Sequence, residues 1–161
     1  MARIEERIAA LGLTLPPPVS PPPDVLLPFR FVRILGRRAF VSGHGPQNAD
    51  GSLALPFGKV GSVITIEDAY DSARLTALSM LASLKRELGD LDRVTAWARV
   101  FGMVNAAPGF NRHPMVINGF SDLILELWGA QASAHARSAV GMASLPFDIP
   151  VEIEAEVEID N

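Results

Sequence analysis

TIEDAYDSARLTALSMLASLKRELGDLDRVTAWARVFGMVN, residues 65 to 105, contains the change of period that decides the fold class. In its first part Tyr70, Ala73, Ala77, Met80, Leu81, Leu84 and Leu88 recur three and four apart, a spacing that stacks them on one face of a helix. Thr65 and Asp68 form a capping box and Gly89 stops the run, so a long core-facing helix is expected between them. From Arg93 to Asn105 the period falls to two, as in a strand. Val94, Ala96, Ala98 and Val100 are expected on one side, with Trp97, Phe101 and Met103 on the other.

Working outward, Phe29 to Leu35 and Ala39 to Ser42 read as strands joined at Gly36-Arg37-Arg38, a hairpin pattern. Pro114 opens a second helix with Val116, Phe120, Leu123 and Leu127 on one stripe, and Gly129 ends it. His135 to Met142 and Val151 to Ile159 are the closing strands. The order ββαβαββ predicts an α+β fold, one sheet covered on one face by two helices. Apolar residues on both faces of several strands predict that the free face is buried against another subunit.

Upstream, residues 3 to 11 read as a short amphipathic helix, and Pro16, Pro17, Pro18, Pro21, Pro22, Pro23 and Pro28 fix an extended arm. The arm reads as a connector that packs the helix against the domain rather than as a ligand for proline-binding modules. The chain therefore divides into a helix and arm, 1–27, and a domain, 28–161.

Composition narrows the function classes. The 161 residues are 48% hydrophobic and 20% charged, ordinary globular usage, and include no cysteine for disulfides, thiolate metal sites or thiol nucleophiles. Met1 to Gly12 carries charge where a secretory signal would be apolar, and no segment reaches the ~18 apolar residues of a membrane span, so a cytoplasmic protein is expected. The net charge is −4. The densest basic group, Arg30, Arg33, Arg37 and Arg38, reads as the charged edge of a strand rather than a phosphate-binding face, so no nucleic-acid partner is expected. Gly58-Lys59-Val60-Gly61 lacks the glycine spacing and the Ser/Thr of a P-loop.

The last strand alternates Val151, Ile153, Ala155, Val157 and Ile159 with Glu152, Glu154, Glu156 and Glu158. Glu154 to Glu158 read as the solvated face of a strand near an edge, whereas Glu152, beside Pro150 at the strand start, stands where pockets form. Arg137 sits among small residues. Its planar fork fits either a substrate carboxylate or a structural salt bridge, and residue type does not choose between them. Were the last two strands a tight hairpin, Arg137 and Glu152 would stand some 17 Å apart. Sharing a site requires either a strand between them or joint contribution by subunits. His44, His113 and His135 lack metal-ligand spacing, so no metal is assigned, and Ser42 reads as a pocket residue because no strand-to-helix elbow surrounds it.

Val41-Ser42-Gly43-His44-Gly45-Pro46, Val116-Ile117-Asn118-Gly119, Ala136-Arg137-Ser138-Ala139-Val140 and Leu145-Pro146 leading to Val151-Glu152-Ile153-Glu154-Ala155 together resemble the RidA/YjgF family over residues 28 to 160. The N-terminal helix and arm resemble a longer-armed branch. The resemblance implies a chorismate-mutase-like fold, a homotrimer with sites between subunits, and a last strand inserted between earlier ones, which would close the gap between Arg137 and Glu152. It also implies cofactor-independent hydrolysis of 2-enamine and 2-imine acids to 2-keto acids and ammonia. By position, Arg137 would clamp the substrate carboxylate and Glu152 would hold the water and relay protons. Ser42, Gly43 and Ala139 would line the pocket, with Asn118 on the neighbouring helix. Phe29 stands where the family usually has a tyrosine, and Ala139 where it often has a cysteine. A non-catalytic trimer binding a small carboxylate is the alternative, and a ribonuclease, an activity attached to the family, fits the acidic charge less well.

Overall fold

The computed structural model describes residues 3–21 and 24–160; Met1, Ala2, Pro22, Pro23 and Asn161, which the readings of the N-terminus, the arm and the domain's end include, lie outside the described residues. The elements are α1 (Arg3–Ala10), β1 (Val32–Leu35), β2 (Arg38–His44), α2 (Ile66–Leu88), β3 (Val94–Asn105), α3 (His113–Trp128), α4 (Ala130–Ser133), β4 (Ala136–Met142) and β5 (Val151–Ile159). This is the expected ββαβαββ order with α1 and a short α4 added. Thr65 caps α2, its hydroxyl accepting from the Asp68 amide at 3.0 Å and donating to the Asp68 carboxylate at 2.7 Å.

The sheet runs β1-β2-β5-β3-β4. β5 is antiparallel to both β2 and β3, while β3 and β4 are parallel. Two crossovers, β2-α2-β3 and β3-α3-β4, therefore place both long helices on one face, as expected when successive crossovers share one hand. β2 and β3 are left one strand apart, and the final strand fills the slot. Its alternation explains the fit. Val151, Ile153, Val157 and Ile159 are buried beneath the helices, and Ala155 nearly so. The glutamates face the other way.

That placement corrects the reading of Glu154 to Glu158 as an edge feature. β5 is central, and its acidic face looks across the uncovered side of the sheet. The hairpin arginines meet it there: Arg38 pairs with Glu156 at 2.7 Å and Arg37 with Glu158 at 3.2 Å.

A second correction concerns β3. Trp97 shares the helix face with Val100, packing edge-on against Phe120 and Trp128 with ring centroids 5.7 and 5.5 Å away. The expected split put these two residues on opposite sides. Register shifts between Val94 and Ala96 and between Trp97 and Arg99 insert extra residues, and each insertion flips the faces beyond it.

α1 docks through buried Ile4 and Ile8. Its first amide groups, on Arg3 and Ile4, donate to the Asp92 carboxylate at 2.7 and 3.0 Å, and Glu5 pairs with Lys85 at 2.7 Å. α2 and α3 approach closely at Gly119, where a Cβ would lie 2.0 Å from the Tyr70 carbonyl oxygen.

Candidate functional site

Arg137 lies on β4, a sheet edge, opposite Val100 of β3. Its Nη1 donates to Asn118 Oδ1 at 3.0 Å and to Ser121 Oγ at 2.9 Å. Both hydrogens of that nitrogen are thereby used, and among the described residues the rest of the fork has no partner. Burial lowers the guanidinium's pKa, with Asp122 acting in the opposite sense. Ser121 is held in turn. The Ser133 carbonyl, 2.6 Å from His135 Nδ1, can only accept, so Nδ1 carries the proton and Nε2 accepts from the Ser121 hydroxyl at 2.9 Å. Burial, then the charge of Arg137, depress the pKa of His135 and favour this neutral form.

Ala139 shares the Arg137 face of β4 and is partly buried. Arg137, Asn118 and Ala139 thus form one half of the predicted site. The structural salt bridge held open for Arg137 is not formed among the described residues.

The other half gathers at the β2 and β5 ends. A Cβ on Gly43 would lie 2.0 Å from Glu152 Oε1 and 2.9 Å from its Cδ, so the carboxylate rests against glycine backbone that no other residue could offer. Glu152 is half-buried with no hydrogen-bond or ion-pair partner among the described residues. Burial, then the repulsion of Glu154, raise its pKa above the usual 4.5. Ser42 donates its hydroxyl to the Arg30 carbonyl at 2.8 Å. Phe29, 51% exposed, precedes β1 instead of opening it and packs edge-on against Phe31. An open cavity of about 840 Å³ lies here, lined by Glu152, Gly43, Phe29, Phe147 and, from the arm, Pro17 and Pro18.

The two halves do not meet within one chain, against the expectation that strand insertion would close the gap. β3 does lie between β4 and β5, but Arg137 stands level with Ala155 and Glu152 is three residues beyond. Three steps of ~3.4 Å along the strand and two of ~4.8 Å across it separate them by about 14 Å. Because three is odd, the side chains also project from opposite faces of the sheet.

The sequence reading missed Ser121, His135, Phe31 and His44. Ser121 follows Asn118 by three, one helix face, and His135 precedes Arg137 by two, one strand face, so spacing contained the signal once Arg137 was chosen. One carboxylate cluster of metal-binding size, Glu5, Asp90 and Asp92, is found among the described residues. It is engaged in capping: Asp92 receives the α1 amides, Glu5 the Leu91 amide and Asp90 the Asp92 amide.

A single mixed sheet, helices on one face and the last strand inserted at its centre define a chorismate-mutase-like α+β protein. The family model described as "YjgF/chorismate mutase-like, putative endoribonuclease" matches residues 5–151, taking in most of α1 and the arm. Protein TCP17 of Trypanosoma cruzi is 36% identical over 159 residues, covering 99% of this chain and 96% of that protein. Atu1372 of Agrobacterium tumefaciens, a solved protein of unknown function, is 40% identical with a TM-score of 0.86, covering 98% of this chain and 92% of its own. A protein of Shewanella oneidensis, solved under the same endoribonuclease description, is 30% identical with a TM-score of 0.87, covering 97% and 99%. The chain belongs to the YjgF/RidA family. Among the described residues no helix is long and apolar enough to cross a membrane.

Proposed function

We propose that the protein is a hydrolytic deaminase of 2-imino acids and their enamine tautomers, working as a homotrimer in which Arg137 of one subunit faces Glu152 of the next. The observation that carries this reading is the pairing of half-sites: among the described residues, a guanidinium held by one nitrogen with its other donors free, and a half-buried carboxylate with no cation of its own. Each lacks what the other supplies. Their places on opposite faces of the sheet, about 14 Å apart, favour a site completed between subunits.

The chemistry asks little of the protein. Arg137 would receive the substrate carboxylate through two parallel hydrogen bonds and so orient the imine carbon. The imine reacts in its nitrogen-protonated form: water adds to that carbon as Glu152 takes one of the water protons, giving a neutral carbinolamine. Glu152 returns the proton to the nitrogen, the C–N bond breaks to release ammonia, and the hydroxyl proton leaves as the keto group forms, replacing the one the imine took up at the start, so one imine and one water become one 2-keto acid and one ammonia. A carboxyl with raised pKa suits this shuttle, since a proton carrier works best with its pKa near the working pH. No cofactor enters these steps.

The test generates 2-iminopropanoate and longer-chain analogues with an amino-acid oxidase and traps them with semicarbazide. Wild type is expected to lower the trapped signal while Arg137→Ala does not. Equal rates for the two proteins would refute the assignment, and saturable carboxylate binding without turnover would favour the binding-protein alternative.

A further inference from the structure

Beneath the Glu152 half-site lies a chain of hydrogen bonds, running from exposed Arg86 to buried Ser83 and His44, that the proposed chemistry does not use. Arg86 on α2 donates from Nη1 to the Pro16 carbonyl of the arm at 3.3 Å and from Nη2 to Ser83 Oγ at 2.8 Å. Ser83 Oγ lies 2.9 Å from His44 Nε2, and His44 Nδ1 lies 2.6 Å from the Ser42 carbonyl. A carbonyl only accepts, so Nδ1 carries the proton, Nε2 accepts from the Ser83 hydroxyl, and Ser83 accepts from Arg86. Every donor has one direction to point. His44 is 4% exposed, and burial foremost, with the Arg86 charge adding to it against the opposing Ser42 bond, brings its pKa down to about 4, which keeps the ring neutral.

The chain ends where the ladder is interrupted. Val41 stands opposite Ala155 and His44 opposite Ile153, so Ser42 and Gly43 bulge out of register. The Ser42–Gly43 peptide is therefore oriented by the bonds that hold Ser42: its amide to the Phe31 carbonyl at 2.9 Å, its hydroxyl to the Arg30 carbonyl, and its carbonyl to His44. A proton donated to that carbonyl polarises the same peptide's N–H, which belongs to Gly43, the residue under the Glu152 carboxylate.

We propose that His44 is a positioning residue for the site and that, through Ser83 and Arg86, it ties the orientation of the Ser42–Gly43 peptide to the docking of the N-terminal arm. The same wiring recurs behind Arg137, where an arginine, a serine and a histidine end on the carbonyl two residues before the histidine, again at 2.9 and 2.6 Å. Each half-site is thus backed by a neutral histidine with its proton on Nδ1. The arm becomes part of the site's framework, since Pro16 anchors the chain at Arg86 while Pro17 and Pro18 wall the cavity that contains Glu152.

The kinetic consequence rests on the deaminase reading; the structural one does not. His44→Leu removes the donor, whereas His44→Asn keeps an N–H near the Nδ1 position. In the semicarbazide assay Leu is expected to lower kcat/KM roughly tenfold, the worth of one oriented hydrogen bond, and Asn to recover most of it. Arg86→Met, which frees the arm, is expected to lose part of the same factor. By nitrogen-15 NMR the wild-type ring is expected as the Nδ1–H tautomer, and the Gly43 amide proton to move upfield in Leu but not in Asn. Equal losses in both variants, full activity in Leu, or an Nε2–H ring would overturn the proposal. If wild type hydrolyses no imine, the deaminase reading falls while the Gly43 resonance still decides: movement in Leu alone supports the positioning role, and an unmoved resonance refutes it.

Discussion

Gly43→Ala is a one-atom probe of where Glu152 must be. The added Cβ would sit 2.0 Å from Oε1, against the 3.4 Å at which ordinary contact begins, so the carboxylate oxygen must retreat by about 1.4 Å. All three nearest atoms belong to the Glu152 side chain, at 2.0, 2.9 and 3.1 Å, and none to backbone. Rotation about the side-chain bonds can relieve the clash, so the fold is expected to survive with a melting temperature within a few degrees of wild type, as for substitutions that create no cavity or buried charge. Activity should not survive. A displacement on the order of 1 Å in a reacting group costs about 100-fold in rate, so kcat in the semicarbazide assay is expected to fall by about two orders of magnitude. KM should change less, because Arg137 is untouched. Full activity in a folded Gly43→Ala protein would show that the carboxylate does not work from the place where it rests, and would refute the role given to Glu152.

Two further outcomes are expected. Because burial and Glu154 hold the Glu152 pKa above 4.5, ionising this group costs the folded state more than the unfolded one, so its penalty appears as pH rises through 4.5 and is complete above the raised value. Glu152→Gln should therefore melt higher than wild type at pH 7, converge with it below pH 4.5, and hydrolyse no imine; coincident melting curves at pH 7 would contradict the burial argument. Gly119→Ala meets backbone, the Tyr70 carbonyl oxygen at 2.0 Å, so α2 and α3 must separate, at about 3 kcal/mol by urea unfolding. Because Asn118 adjoins the strained position, KM is expected to rise as well.

Much of the fold was legible because its signals are local. Thr65, Asp68 and Gly89 bound α2 by satisfying orphan backbone groups, Pro114 and Gly129 bound α3, and the strict alternation of residues 151–159 delimits β5 to the residue. The candidate residues were legible as types: an arginine among small neighbours, a glutamate at a strand start, a glycine before His44. Spacing also showed that Arg137 and Glu152 could not meet in a simple hairpin.

The remainder belonged to tertiary structure. Which strands β5 lies between is set by the two crossovers, and no feature of residues 151–159 states it; the same alternation suits an edge or a centre, and only the centre lays Glu154 and Glu156 along the middle of the uncovered face. The face of Trp97 turned on two register shifts, because one extra residue reverses every side chain that follows. Parity likewise put Arg137 and Glu152 on opposite faces, a result of pairing with Val100 and Met103, far away in sequence, that no local pattern contains. The histidine circuits were hidden for the same reason: Ser83 is 39 residues from His44 and becomes its partner only when α2 lies across the sheet. The sequence determined which residues could bind and carry protons; packing decided which of them touch, and left Arg137 and Glu152 as separate halves.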